Sequence, residues 1–236
     1  MIYWSFGVGV YSKTVLALYT LLDGQGLYVH KSSMRPINPA SNAIYQSLRG
    51  GPLLVGDLSG APCFKRRALQ ESIPREALSF DQKFGHTYED ALAALIAKAP
   101  SIKLIARNLQ VFDDTGRTLG ELDFVLCDSV SEKLIHLELA VKFYLGILNS
   151  GVWHFPGPDP HDNWQRKLER MQDHQFKLAK TSEACSLLRG KFGIDAVEAR
   201  QLIYGRLFDP IGTQERPQLS EMAPGAHRGR WLYLHD

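Results

Sequence analysis

One stretch constrains the fold more than any other. From Ser101 to Tyr144, three runs of β-branched and apolar residues are separated by two turn signals. That pattern predicts a three-stranded meander. Asp113, Asp114 and Gly116 supply the first turn, where short side chains or a positive φ are wanted, and Asp128 to Lys133 supplies the second. Side chains alternate between the faces of a strand, so residues two apart share a face. Glu121 and Asp123 then stand together on the second strand, with Leu122 and Phe124 on its other side. On the third strand His136, Glu138, Ala140 and Lys142 line one face, and Leu137, Leu139, Val141 and Phe143 line the other. Antiparallel pairing of these strands brings Asp123 beside Glu138. Two carboxylates that close repel each other, and a divalent cation is the simplest way to keep both ionised. The alternative is a solvated polar face on a half-exposed sheet.

The flanking segments add helices. Residues 85–100 carry Tyr88, Ala91, Leu92, Leu95, Ile96 and Ala99 at helical spacing, with Thr87 and Asp90 placed as a capping box and Pro100 as the stop. Glu89 lies at the margin of this apolar stripe, either as an acid favoured by the helix dipole or as a third acid of the site. Residues 146–163 are rich in Gly, Pro and Asp and predict a long loop. Asp162 or Asn163 then caps a second helix, from about Trp164 to Thr181, with Trp164, Leu168, Met171 and Leu178 inward. Lys167, Arg170, His174 and Lys177 form a basic stripe on it, suited to phosphate or simply solvated. A short helical piece at Glu183–Leu188 closed by Gly190, a strand over 199–208 and a last apolar piece at Arg230–Leu234 complete the chain. Upstream, a short helix near Ala40–Leu48 lies among Gly- and Pro-rich loops, and residues 64–80 carry no clear signal.

Composition sets broad limits. The 236 residues suffice for one large domain with an appendage, here drawn as 1–49 and 50–236. A formal net charge of +2 does not by itself announce a nucleic-acid binder, although basic residues cluster at Lys65–Arg67 and Arg166–Arg170. Three widely spaced cysteines argue against a disulfide framework or zinc knuckle and for a reducing, cytoplasmic setting. Met1–Leu22 is apolar but lacks a basic start and is split by Ser12 and Lys13, so neither a signal peptide nor a membrane span is expected. It reads as an edge element, or as an extension ahead of a start at Met34. Eight histidines without HxxxH or HExxH spacing give little support to a histidine–metal hydrolase. His136 reads as a surface-strand residue, with a supporting place behind Glu138 as the alternative.

Helix, three strands, helix, strand is an αβββαβ order: an α/β fold with a mixed central sheet flanked by helices. The runs LGELDFVL (119–126), HLELAVKFYLG (136–146), GPDPHDNWQRKLERM (157–171) and IYGRLF (203–208) resemble those of a bacterial family of unknown function, domain-of-unknown-function family 1853. With the element order they also resemble the PD-(D/E)XK superfamily, the restriction-endonuclease-like nucleases. The resemblance covers roughly residues 50–236.

That resemblance implies Mg²⁺- or Mn²⁺-dependent hydrolysis of phosphodiesters, in DNA ahead of RNA, and admits a homodimer. Asp123 and Glu138 match the two acids of the motif, and Glu89 stands where many members carry a helix acid; these three would hold the metal. Glu121, His136 and Gln110 would support them, and Lys167, Arg170 and Lys177 would meet nucleic acid. The lysine departs from the pattern. Ala140 fills its usual slot, and Lys142, the candidate to assist the water, lies two residues on, about 7 Å along the strand. Lys167 is the second candidate. Leu122 stands where the motif has proline.

Overall fold

The meander forms as expected. Strands β1 (Ile102–Phe112), β2 (Thr118–Asp128) and β3 (Lys133–Leu145) pair antiparallel in succession. The structure, a computed structural model, describes residues 38–71, 74–159, 161–213 and 216–232. Both turns are built by aspartates. Asp113 Oδ1 accepts from the Thr115 and Arg117 amides at 2.9 and 3.0 Å, with Gly116 at φ 81°. Asp128 Oδ1 accepts from the Val130 amide at 2.9 Å.

The segment 146–163 is not wholly irregular. It holds a small hairpin, β4 (Ile147–Asn149) and β5 (Val152–His154), turned at Ser150 and Gly151. Both turn residues have positive φ, 49° and 79°, the twist that a two-residue hairpin needs. Strand β6 (Glu198–Pro210) then pairs parallel to β3, and β7 (Arg228–Trp231) parallel to β6. The central sheet is therefore five-stranded and mixed, in the order β1-β2-β3-β6-β7. β7 overlaps the expected last apolar piece, of which residues 233–234 lie outside the described residues.

Helices cover both faces. On one side α1 (Pro39–Gly50), α2 (Arg67–Gln70) and α3 (Phe84–Lys98) pack Leu48, Leu69, Leu92 and Leu95 against Phe124, Leu137 and Leu202. α1 is capped by Asn38, whose side chain accepts from the Ala40 amide, and its Ile44, Tyr45 and Leu48 share this core. Residues 39–50 are thus part of the same packing as the rest of the sheet and its helices. Met1–Leu22 and a start at Met34 lie outside the described residues.

On the other side α4 (Trp164–Arg170) is capped by Asn163, whose Oδ1 accepts from the Arg166 amide at 2.9 Å. Trp164, Leu168, Met171 and Leu178 are buried as the spacing implied. The helix is not continuous, however. A π-helical turn at Met171–Gln175 separates α4 from α5 (Phe176–Leu178). Thr181 is the cap of α6 (Ser182–Phe192), not the end of the helix before it. α6 runs through Gly190 and stops at Gly193, whose φ of 68° is the left-handed geometry that ends helices.

Three further expectations are corrected. α3 begins at Phe84, so Thr87 is not its cap; Thr87 is buried and its hydroxyl donates to the Ser79 carbonyl at 3.0 Å, tying the incoming loop to the helix. Glu89 consequently lies beyond the first turn. Leu122 and Phe124 do not share a face. Phe124 packs under α3, whereas Leu122 packs with Val125, Leu178 and Leu188 on the opposite side. The alternation slips at Asp123, where the β2–β3 ladder has ended.

Two contacts fix the middle and far edge of the sheet. Gly205 of β6 lies opposite Lys142 at φ 135°, and a Cβ there would sit 1.7 Å from the Lys142 carbonyl oxygen. Only glycine allows the strands to approach this way. Asp209, 1% exposed, accepts from Arg228 Nε at 2.8 Å and Nη2 at 2.6 Å, clamping β7 onto β6. Among the described residues no helix is long and apolar enough to cross a membrane.

Candidate functional site

The site grows from the place where two strands part. The last β2–β3 pair is Phe124 with Leu137, so the residues next in register are Asp123 and Glu138. Beyond Phe124 the ladder is gone, and one side chain replaces it: Asp123 Oδ2 accepts from the Leu139 amide at 2.9 Å. Glu138 hangs from the α4 face of β3 and is 1% exposed. Its Oε2 accepts from Gln175 Nε2 at 2.8 Å. Its Oε1 lies 2.9 Å from His136 Nε2, close but not aligned as a hydrogen bond. His136 is fully buried, so it is no surface-strand residue. Neither of its ring nitrogens has an aligned partner among the described residues.

Electrostatics single out Asp123. Burial, followed by the charge of Glu138, pushes its carboxyl up to about 8, with smaller additions from Glu89 and Glu121. The Leu139 amide opposes the shift but does not overcome it. Glu121 is also raised, by burial first and then by Glu89, and it accepts from Gln110 across the β1–β2 pair. Glu89 approaches from the α3 side and is already engaged. Arg107 Nη2 stands 3.3 Å from it and His86 Nδ1 3.4 Å, and Arg107 also holds Asp90 at 2.8 Å while lying over the Phe124 ring. Asp123 therefore occupies the fork between an acid on one face and an acid on the other.

The basic residues divide. Lys142 Nζ stands 3.1 Å from Asp162 Oδ2, and the Tyr144 hydroxyl donates to the other oxygen of Asp162. Lys167 turns inward, donating to Gln175 Oε1 at 2.8 Å. Burial, and then Lys142, hold its ammonium below the usual lysine value against the pull of Glu138 and Asp162. Arg170 and Lys177 stay exposed, and Lys177 pairs with Asp173 at 3.0 Å. His174 Nε2 stands 3.0 Å from the Leu119 carbonyl. The expected basic stripe is thus divided: Lys167 turns toward Gln175, while Arg170 and Lys177 face solvent and His174 lies against the Leu119 carbonyl.

Gln175 is the functional candidate that helical periodicity hides, since a π turn shifts the phase of every residue after it. The one signal for it is the five-residue gap between Met171 and Phe176, both buried, where an α-helix would space such residues by three or four. Gln175 joins Glu138 to Lys167, giving a continuous chain from the acid to the amine.

Among the described residues no three His, Cys, Asp or Glu side chains stand gathered around a metal position. Asp123 and Glu138 nevertheless suit a hard cation. Both offer carboxylate oxygens, they burden each other with like charge, and Glu138 Oε1 has no aligned donor. Glu89 could join them only by exchanging its hold on Arg107.

A five-stranded mixed sheet covered by helices, carrying buried Glu138 and half-buried Asp123 where β2 and β3 part, defines an α/β protein with an acidic site. The chain belongs to the family described as Domain of unknown function (DUF1853), which matches residues 64–236. No curated protein and no solved structure matches it.

Proposed function

We propose that the chain is a metal-dependent nuclease with a restriction-endonuclease-like core, hydrolysing phosphodiester bonds in DNA in preference to RNA, with Asp123 and Glu138 at its centre. The observation that carries this reading is the meeting of buried Glu138 and half-buried Asp123 at the strand fork with two lysines, Lys142 and Lys167, on the Glu138 face. A bound Mg²⁺ or Mn²⁺ would supply charge neutralisation at the phosphate and a more acidic water. Asp123 and Glu138 would hold it, and Glu138 is kept in place by Gln175 and crowded by His136. Lys142, positioned by Asp162, brings positive charge toward the substrate phosphate. Lys167 is the better proton acceptor for the attacking water, because its surroundings disfavour the ammonium. In this reading the amine has moved from the strand, where Ala140 fills its slot, to the following helix.

Incubating purified protein with plasmid, linear DNA and RNA, with Mg²⁺ or Mn²⁺, tests the proposal. Cleavage should need the metal and should vanish in Asp123→Asn and Glu138→Gln. Absence of cleavage with either metal, or cleavage that survives both substitutions, overturns it.

A second reading, a nucleic-acid-binding module without catalysis, is favoured by the tie of Glu89 to Arg107 and by Ala140 in the motif slot. Binding would then fall steeply with salt and would survive Asp123→Asn, while loss of Arg170 and Lys177 would abolish it.

A further inference from the structure

A cavity of about 410 Å³ opens on the α3 face of the sheet, between α1, the start of α3 and the ends of β3 and β6. It is of the size that small-molecule sites take. It is separate from the acids: β3 contributes Val141 and Phe143 to it, whereas Glu138 and Lys142 leave the opposite face of the same strand. Its walls are largely aromatic, formed by Phe84, Tyr88, Phe143 and Tyr204. Arg206 also lines it, beside Phe143 in the β3–β6 register. Among the described residues the partly buried guanidinium of Arg206 makes no hydrogen bond or ion pair. His227 adds an imidazole to the lining and is exposed.

The walls are set before any ligand arrives. The Tyr204 hydroxyl donates to the Leu48 carbonyl at 3.2 Å and accepts from Arg66 Nη1 at 3.2 Å. Arg66 in turn donates to the Gly51 carbonyl at 2.6 Å, and the Tyr88 hydroxyl reaches Ser47 Oγ at 3.4 Å. Phe84 packs edge-on against Tyr88 at 5.1 Å. A ligand meeting such walls loses little affinity to their ordering.

We infer that this cavity binds a planar aromatic anion: a flat ring held among Phe84, Tyr88 and Phe143, with a phosphate or carboxylate on Arg206. Aromatic faces favour a flat ring by offset stacking. The donors of the Arg206 guanidinium are free of protein partners among the described residues and open to solvent, and their two-pronged geometry matches both anions. The site does not depend on the nuclease reading, and it would carry a ligand whether or not the acids cleave anything.

Titration calorimetry and thermal melting of the full chain in EDTA, which keeps the acidic site free of metal, test the inference. The probes are adenosine monophosphate, indole-3-carboxylate, uncharged adenosine and octanoate. Saturable binding of the nucleotide names phosphate as the preferred anion, and binding of the indole acid names carboxylate; either supports the site. Adenosine and octanoate should bind at least about tenfold more weakly than the better anion. Arg206→Gln should weaken that anion by at least about tenfold while the unliganded melting temperature holds. If that variant does not fold, Phe84→Ala at the exposed rim carries the same expectation. No saturable binding of either anion up to about 10 mM overturns the inference. So does equal binding of adenosine or octanoate, or an affinity untouched by these substitutions.

Discussion

Lys167 and Asp123 are two residues whose surroundings disfavour their charged forms, and each yields a measurable expectation. Burial and Lys142 act on Lys167, so its amine is the one best able to take a proton in the proposed reaction. Lys167→Met should lower the DNA cleavage rate by about 10²- to 10⁴-fold, the usual range for a lost proton acceptor. Lys142→Met should cost less, and Gln175→Leu should fall between them. Comparable losses at Lys142 and Lys167 would return the role to the strand lysine. For Asp123, the folded protein keeps a proton between about pH 4 and pH 8 that the unfolded chain has already released. Unfolding then releases a proton, so this group makes the metal-free protein less stable as pH rises through that window. The slope is at most about 1.4 kcal/mol per pH unit. The carboxylates facing Asp123 are Glu138, Glu89 and Glu121. Asp123→Asn removes this titration, so denaturant unfolding at about pH 5 and about pH 8 should show the variant gaining on the wild type as pH rises. An unchanged difference between them would place the Asp123 titration elsewhere.

Among the elements, the π turn decides which side chains reach the acids. Deleting Asp173 would return the five-residue gap between Met171 and Phe176 to the four of an α-helix and re-angle Gln175, which lies within the π turn, off Glu138. Cleavage should be lost while helix content by circular dichroism stays within a few per cent, and retained cleavage would show that Gln175 does not position Glu138. This element also marks where the sequence stops being legible. The meander, α3 and the inner stripe of α4 follow from periodicities of two and 3.6, which burial of Leu92, Leu95, Trp164 and Leu168 enforces. Asn163 is readable as a cap because its carbonyl fits one geometry well. Thr87 misleads, since a hydroxyl that caps a helix end can equally tether a loop from the second turn. Gly190 misleads for a similar reason: a glycine can be tolerated inside a helix, and only the φ of Gly193 reveals the true stop. The slip that parts Leu122 from Phe124 leaves no pattern in composition: it sits where the β2–β3 ladder ends and where the neighbouring strand turns through Asn108 at φ 53°.

Across the whole molecule, long-range closure rests on contacts that no local window contains. Asp209 is buried and balanced by Arg228, which ties the last strand to the sheet. Arg228→Met would leave that carboxylate uncompensated and should cost about 3 to 5 kcal/mol. For a chain of this size that is a fall of roughly 10 °C in melting temperature, readable by calorimetry. A fall of only a degree or two would mean that β7 is held by its apolar contacts alone. The candidate site was legible in part: Asp123 and Glu138 follow from alternation and register, and Lys167 from its place on the next helix. Burial of His136 and the grip of Arg107 on Glu89 were not, because both depend on which elements cover the two faces.

The Leu139 amide hangs on the Asp123 side chain, where a neighbouring strand would ordinarily hold it. A backbone proton secured by a single carboxylate is a natural reporter. Its exchange with deuterium should quicken in Asp123→Ala while the ladder-bound amides of β3 keep their pace. Whatever later occupies that carboxylate would be heard first in this one signal.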